Sequence, residues 1–169
     1  KHFSFSESKM ESENVISDLV FRQLKLDPEN EKCFDCEQAG PYWASVNIGI
    51  FICMNCAAVH RSMGSSVSFV RSLEMDTWSE KQLKLMALGG NQKLKEFFKN
   101  YDLNDETVQL RYCTKAANFY RLKLRSTAEG VPFNEPSPYY DEGRLEMDPE
   151  QMAAVEEIAE SSAPETQNQ

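Results

Sequence analysis

Four of the five cysteines lie between Cys33 and Cys56, spaced Cys33-x2-Cys36-x16-Cys53-x2-Cys56. Each C-x-x-C turn sets two sulfurs on one side of a tight loop, and tetrahedral Zn²⁺ takes four ligands at about 2.3 Å. The residues between the pairs must therefore double back to bring the second pair to the first. They have the pattern to do so: in WASVNIGIFIC, Ala44, Val46, Ile48, Ile50 and Ile52 fall on one side. Two short strands, or one bent strand, are expected, with Asn47 and Gly49 at the turn or bulge. With every coordination position taken by sulfur, no place remains for water or substrate, so one structural zinc is expected. Redox thiols or two disulfides are the competing use. The opening KHFSFSESKM lacks an export signal's apolar region, and no apolar run approaches the eighteen or so residues of a membrane span. The chain is therefore read as intracellular, where paired cysteines more often bind metal than form disulfides.

The segments around the cysteines read as helices. Over residues 12–26, Val15, Ile16, Leu19, Val20 and Leu24 recur at helical spacing, with Ser12 as cap and Asp27-Pro28 as stop. A helix is expected from Cys56 to about Met63, ended by Gly64, and then a strand over residues 67–75. Thr77-Trp78-Ser79-Glu80 has the form of a capping box, opening a helix that ends at Gly89-Gly90. Residues 91–101 predict a short helix with Leu94, Phe97, Phe98 and Tyr101 inward. Residues 105–126 predict one long helix or two shorter ones, with Val108, Tyr112, Ala116, Phe119 and Tyr120 as the apolar stripe. Cys113 lies in that stripe as a buried core thiol.

The net charge of −9 is unevenly spread: residues 141–169 hold nine acids and one arginine, and the body before them is near neutral. That balance gives no footprint for nucleic acid. Three prolines in VPFNEPSPYYDEG mark an extended linker, and Asp148-Pro149 opens a last acidic helix before a disordered end. The expected division is 1–11, a disordered lead or non-native remnant; 12–128, the zinc-finger domain; 129–147, the linker; and 148–169, the acidic helix and tail. The fold class is α+β, a four-cysteine zinc finger with a small central β-sheet flanked by about five to six helices.

The cysteine pattern continues as C-x2-C-x16-C-x2-C-x4-R, ending at Arg61. In full this resembles the signature of the Arf GTPase-activating protein (ArfGAP) family. WASVNIGIFIC, CAAVHRSMG, VRSLEMDTW and GGN resemble successive blocks of that domain, over roughly residues 12–125. The Golgi-type members, in which the domain begins a longer protein, are the most similar. The resemblance implies that Cys33, Cys36, Cys53 and Cys56 bind zinc and that Arg61 is an arginine finger offered to GTP-loaded Arf at a membrane surface. The chain is then an activator rather than an enzyme in its own right, working in the cytoplasm on Golgi and vesicle membranes in coat-dependent transport. Coat proteins and membranes would be engaged through regions outside this chain, and nucleic acid is not a partner.

The resemblance also implies roles for other positions. Trp43 packs over the finger. Ile48 and Gly49 lie near the arginine and, with Trp43 and Ser66, are candidates to meet the GTPase; Arg71 either supports the Arg61 loop or meets the GTPase as well. His60 is a hydrogen-bonding partner that orients the loop, not a fifth ligand. Asp76 and Trp78 serve as cap and core, and Asn91 as a turn or cap. Ser66 stands where the family usually has histidine and Ser62 where glycine is frequent, a departure that bears on the choice of Arf isoform. A zinc-stabilised interaction module without GTPase activation is the alternative. A GATA-like nucleic-acid finger is less favoured, because Arg61 and Arg71 are the only Lys or Arg residues between Cys33 and Asp76.

Overall fold

A three-stranded antiparallel sheet sits at the centre of the computed structural model, which describes residues 5–148, 150–154 and 157. Helix α1 (Phe5–Leu24) leads through a 3-10 turn (Pro28–Glu31) into the cysteine segment. There β1 (Trp43–Ser45) and β2 (Ile50–Ile52) pair, with Trp43 opposite Ile52 and Ser45 opposite Ile50. Helix α2 (Met54–Ser62) follows, then β3 (Val70–Ser72), which pairs with the other edge of β1 to give the order β2-β1-β3. Helices α3 (Glu80–Leu88), α4 (Asn91–Lys99), α5 (Val108–Tyr112) and α6 (Lys115–Glu129) enclose the sheet, and α7 (Tyr140–Gly143) closes the series. The α+β class and the small central sheet match expectation; α7 and the division of residues 105–126 into α5 and α6 bring the helices to seven among the described residues, with a further helical stretch over 150–154.

The core is built on β2. Ile50, Phe51 and Ile52 are all fully buried, as are Ala44, Met86, Leu94, Phe98, Leu103 and Tyr112. A strand buried on both faces reads as a continuous apolar run, and IFI is one. Truncating Phe51 would cost about 3–5 kcal/mol by the usual cavity relation.

Three boundaries and one buried face differ from the sequence reading. Helix α1 starts at Phe5, so residues 5–11 are helical and Ser12 lies inside the helix, its hydroxyl donating to the Lys9 carbonyl. The buried face of α1 is also rotated: Val15, Ile16 and Leu19 are exposed, while Ser17 and Phe21 are buried. Phe21 wins because its ring meets two others edge-on, Trp78 at 4.8 Å and Phe51 at 6.3 Å. The capping box of α3 is Ser79 with Gln82, two residues beyond the one expected, leaving Thr77 outside the helix. Strand β3 keeps only Val70–Ser72 of the expected span, because β1 offers three residues to pair with.

The linker after Gly130 forms no helix or strand through residue 139, in keeping with its prolines, and folds back on the domain. Tyr101 donates to the Pro138 carbonyl, and Arg144 donates to the Tyr101 carbonyl and pairs with Glu106. Farther on, Met152 is 3 % exposed, seated in a cleft of about 490 Å³ that also touches Asn47, Ser66, Leu85 and Arg121. The expected disordered end, 161–169, lies outside the described residues.

Candidate functional site

The four cysteine sulfurs converge, all lying within 4.8 Å of one another. Cys33 comes from the loop before β1, Cys36 from the turn after it, and Cys53 from the N-cap of α2, with Cys56 in that helix's first turn. Tetrahedral ligands at about 2.3 Å stand about 3.8 Å apart, and the Cys36 and Cys53 sulfurs are 3.7 Å apart. That distance fits a shared metal and is far beyond a disulfide's roughly 2.05 Å. The Cys56 amide donates to the Cys53 sulfur, so the knuckle and the helix cap are one structure. Burial pushes the Cys33 thiol up to about 11. Bound zinc would offset that penalty, because a dication stabilises thiolate. The donor set fits one structural zinc with four sulfur ligands.

Because Cys53 caps α2, a bound metal would hold the start of the helix that carries His60 and Arg61 in its last turn. The two residues diverge. His60 is fully buried and Arg61 is exposed, as expected for neighbours about 100° apart around a helix. The Arg61 guanidinium lies over the Trp43 ring, 4.5 Å from its centroid. The half-buried Trp43 on β1 is thus a shelf for a solvent-facing arginine, a contact worth roughly 0.5–1 kcal/mol at an exposed site.

His60 bonds at both ring nitrogens: Nε2 lies 2.6 Å from Asp35 Oδ2, and Nδ1 lies 2.6 Å from Ser68 Oγ. Ser68 Oγ continues to Ser45 Oγ at 2.6 Å. Asp35 Oδ1 accepts from Tyr112 Oη at 2.7 Å and from Arg111 Nη2. The Asp35 side chain is 1 % exposed. Burial alone would raise its pKa, but the hydrogen bond and charge of His60, with Arg111 and Tyr112, hold it below the usual carboxylate value. An ionised carboxylate only accepts, so Nε2 of His60 carries the proton on that side.

The remaining candidates divide. Ser66 is half-buried in the loop after α2, its carbonyl reached by Asn47 Nδ2 at 3.5 Å. Arg71 on β3 lies over Phe69 and 3.7 Å from Asp76 Oδ1. Ile48 is 2 % exposed, so its side chain belongs to the core and not to a contact surface. Gly49 faces inward too: at φ +72°, a Cβ there would lie 3.0 Å from the Leu85 carbonyl and 3.1 Å from Gly89 Cα. Its carbonyl accepts from the Gly90 amide at 2.7 Å. The glycines at 49 and 89 are small because two backbones cross there, not because a partner does.

Asp76 caps no helix; its Oδ2 accepts from the Ser72 amide at 2.7 Å. Trp78 is core, and its indole donates to the Ser72 carbonyl. Asn91 opens α4 and is also a buried clamp. Its amide donates to the Glu29 and Lys32 carbonyls and its oxygen accepts from Phe51 N, tying the zinc loop to β2. Cys113 is half-buried, less enclosed than expected. The sequence reading missed Asp35, Ser45, Ser68, Arg111 and Tyr112. Arg111 and Tyr112 lie 76 and 77 residues from Asp35, and no local spacing links them.

A four-thiolate zinc centre at the head of a helix, packed on a three-stranded sheet and ringed by helices, defines a zinc-finger module. Residues 18–128 match the ArfGap family model, described as "Putative GTPase activating protein for Arf". The chain belongs to the ArfGap family. It is 40% identical over 110 residues to ADP-ribosylation factor GTPase-activating protein 3 of Macaca fascicularis, covering 64% of this chain and 21% of that protein. It is 35% identical over 143 residues to ADP-ribosylation factor GTPase-activating protein GCS1 of Saccharomyces cerevisiae, covering 84% of this chain and 39% of that one. The chain thus spans well under half the length of these relatives. Among solved structures, "putative GTPase activating protein for ADP ribosylation factor" from Cryptosporidium parvum superposes with a TM-score of 0.56 at 32% identity, covering 69% of this chain and 91% of that one. The "ArfGap domain of HIV-1 Rev binding protein" shares the fold, with a TM-score of 0.52 over 86% of this chain and 98% of that one. No helix among the described residues is long and apolar enough to cross a membrane. Neither the nucleic-acid reading nor the module without activity gains support from these likenesses.

Proposed function

We propose that this chain activates GTP hydrolysis by an Arf-family small GTPase, with Arg61 as an arginine finger supplied in trans. One observation carries the reading: Arg61 is exposed at the end of a zinc-capped helix, its guanidinium resting on Trp43. Phosphoryl transfer asks the protein mainly to position groups and stabilise charge on the transferred oxygens, and a finger in trans adds roughly 10³–10⁵ in rate. Zinc, when bound, does no chemistry on the nucleotide; it secures the start of α2. Trp43 limits the arginine's freedom before encounter, so less is lost when the planar fork meets phosphate.

Arg71 and Ser66 complete the proposed contact face; Ile48 and Gly49 leave it, being buried. Residues 12–128 are the activating module, and the segments after it are the linker and acidic end of a protein whose other regions engage coats and membranes. The activity belongs on the cytoplasmic face of Golgi and vesicle membranes, where transport uses Arf.

The test is GTP hydrolysis by a soluble, GTP-loaded Arf with this chain at catalytic amounts. Strong stimulation is expected, nearly abolished by Arg61→Lys with zinc content and fold unchanged, because lysine keeps the charge but not the fork. Full stimulation by Arg61→Lys would refute the finger, and no stimulation by the unaltered chain would refute the activity.

A further inference from the structure

We infer that the buried chain of hydrogen bonds Asp35–His60–Ser68–Ser45, braced by Arg111 and Tyr112, positions Arg61, an inference that rests on Arg61 being the finger. Its members sit on different elements: Asp35 in the knuckle between Cys33 and Cys36, His60 on α2, Ser68 in the loop after α2, Ser45 on β1, and Arg111 and Tyr112 on α5. All are withdrawn from solvent. His60, Ser45 and Tyr112 are 0 % exposed, Ser68 2 % and Arg111 5 %.

The geometry connects them to Arg61 at both of its supports. Successive helix residues diverge by about 100°, so seating His60 in the core sets the direction in which Arg61 leaves α2. On a strand, residues i and i+2 share a face, which places Ser45 and Trp43 on one side of β1. The Ser45–Ser68–His60 bridge therefore ties the strand bearing the Trp43 shelf to the helical turn bearing Arg61. Asp35 anchors the other side of His60 to the zinc knuckle. A rolled α2 would break at least one of these bonds, and it would lift the guanidinium from its ring.

Stability alone is a poor account of this arrangement. Well-packed apolar groups serve a core as well as a buried ion pair or better, whereas directional bonds to both ring nitrogens permit one orientation of His60. Asp35, Ser68, Arg111 and Tyr112 are thus positioning residues, acting through the helix and not on the nucleotide.

Two single-hydroxyl deletions test this, Ser68→Ala and Tyr112→Phe, since both leave the zinc ligands and the Asp35–His60 pair in place. Hydrolysis by GTP-loaded Arf is measured over a range of concentrations of the full chain, and again with each change added to Arg61→Lys. The expected result is a maximal rate lowered about ten- to a hundredfold, with half-saturating concentration and zinc content unchanged. In the Arg61→Lys background the added changes should cost nothing more. The conservative change Ser68→Thr, which keeps a hydroxyl, should retain most of the rate. If Tyr112→Phe fails to fold, Ser68→Ala compared with Ser68→Thr decides. The inference is overturned if both deletions keep the full maximal rate while Arg61→Lys loses it, or if they lower the rate equally in both backgrounds. No stimulation by the unaltered chain would overturn the underlying reading, and this inference with it.

Discussion

Asn91 is a buried polar side chain that binds three backbone groups beside the site. Its amide and carbonyl serve the Glu29 and Lys32 carbonyls and the Phe51 amide, all at 2.8–2.9 Å. Each orphaned buried group costs roughly 1–3 kcal/mol. Asn91→Ala is expected to lower stability by about 3 kcal/mol or more, read from urea unfolding at fixed zinc. A loss under about 1 kcal/mol would show that water replaces the clamp. Arg61 is the opposite case. It has a ring contact and no buried bond, so its replacement should leave the unfolding midpoint almost unchanged. The motif GGN was legible as a turn and helix start, and it is one. That Asn91 also spans three backbone segments was not legible, since its partners are 40 to 62 residues away.

Among the elements, α3 and α6 are joined at the surface by Glu129, which accepts from Lys81 at 2.6 Å and from Arg125 at 3.2 Å. Arg125 is its i−4 neighbour on α6, and Lys81 belongs to the first turn of α3. Burial pushes the Glu129 carboxyl up, but the bonds from Lys81 and Arg125 outweigh it and hold the group below the ordinary 4.5. A depressed folded-state pKa means stabilisation present above 4.5 and lost as pH falls through the folded value. Glu129→Gln should therefore lower the melting temperature at pH 7, with the difference closing as pH falls through that depressed folded-state value. The carboxylate is largely solvated, so the effect stays under about 1 kcal/mol. A difference independent of pH would assign the loss to packing. The strand, turn and helix identities around the cysteines were legible from alternation, Gly49 and the caps. Boundaries slipped at β3, trimmed by its pairing to the length of β1, and at α3, where Ser79 and Gln82 form the local capping box expected at Thr77 and Glu80.

For the molecule as a whole, the zinc centre ties the loop before β1 to the start of α2. The knuckle anchors α2, and the Asn91 clamp runs from the adjoining loop to β2 and α4. Structural zinc contributes apparent free energies of about 10–16 kcal/mol in finger peptides, comparable to the roughly 5–15 kcal/mol that a whole domain holds. Removing the metal with a strong chelator should therefore abolish the cooperative thermal transition, and one equivalent of Zn²⁺ should restore it. A transition that survives with no bound zinc would show that the sheet and helices fold on their own. The segment from Gly130 to Met152 adds a second tie, folding back through Tyr101, Arg144 and Met152.

Chemistry carried by local spacing could be read from the chain directly. Two C-x-x-C pairs sixteen residues apart impose a four-sulfur site, and an arginine five residues past the last cysteine must leave the helix that site caps. Alternation between the pairs imposes the two strands. Orientation was another matter. Whether Ile48 and Gly49 face a partner or the core, which face of α1 is buried, and what holds His60 all depend on residues distant in the chain that meet only after folding. Asp35 acquires Arg111 and Tyr112, and Gly49 acquires Gly89, through packing that no short window contains. Hydrogen bonds and van der Waals contacts act over a few ångströms of space regardless of separation along the chain, so the buried partners of His60 behind Arg61 became visible only in three dimensions.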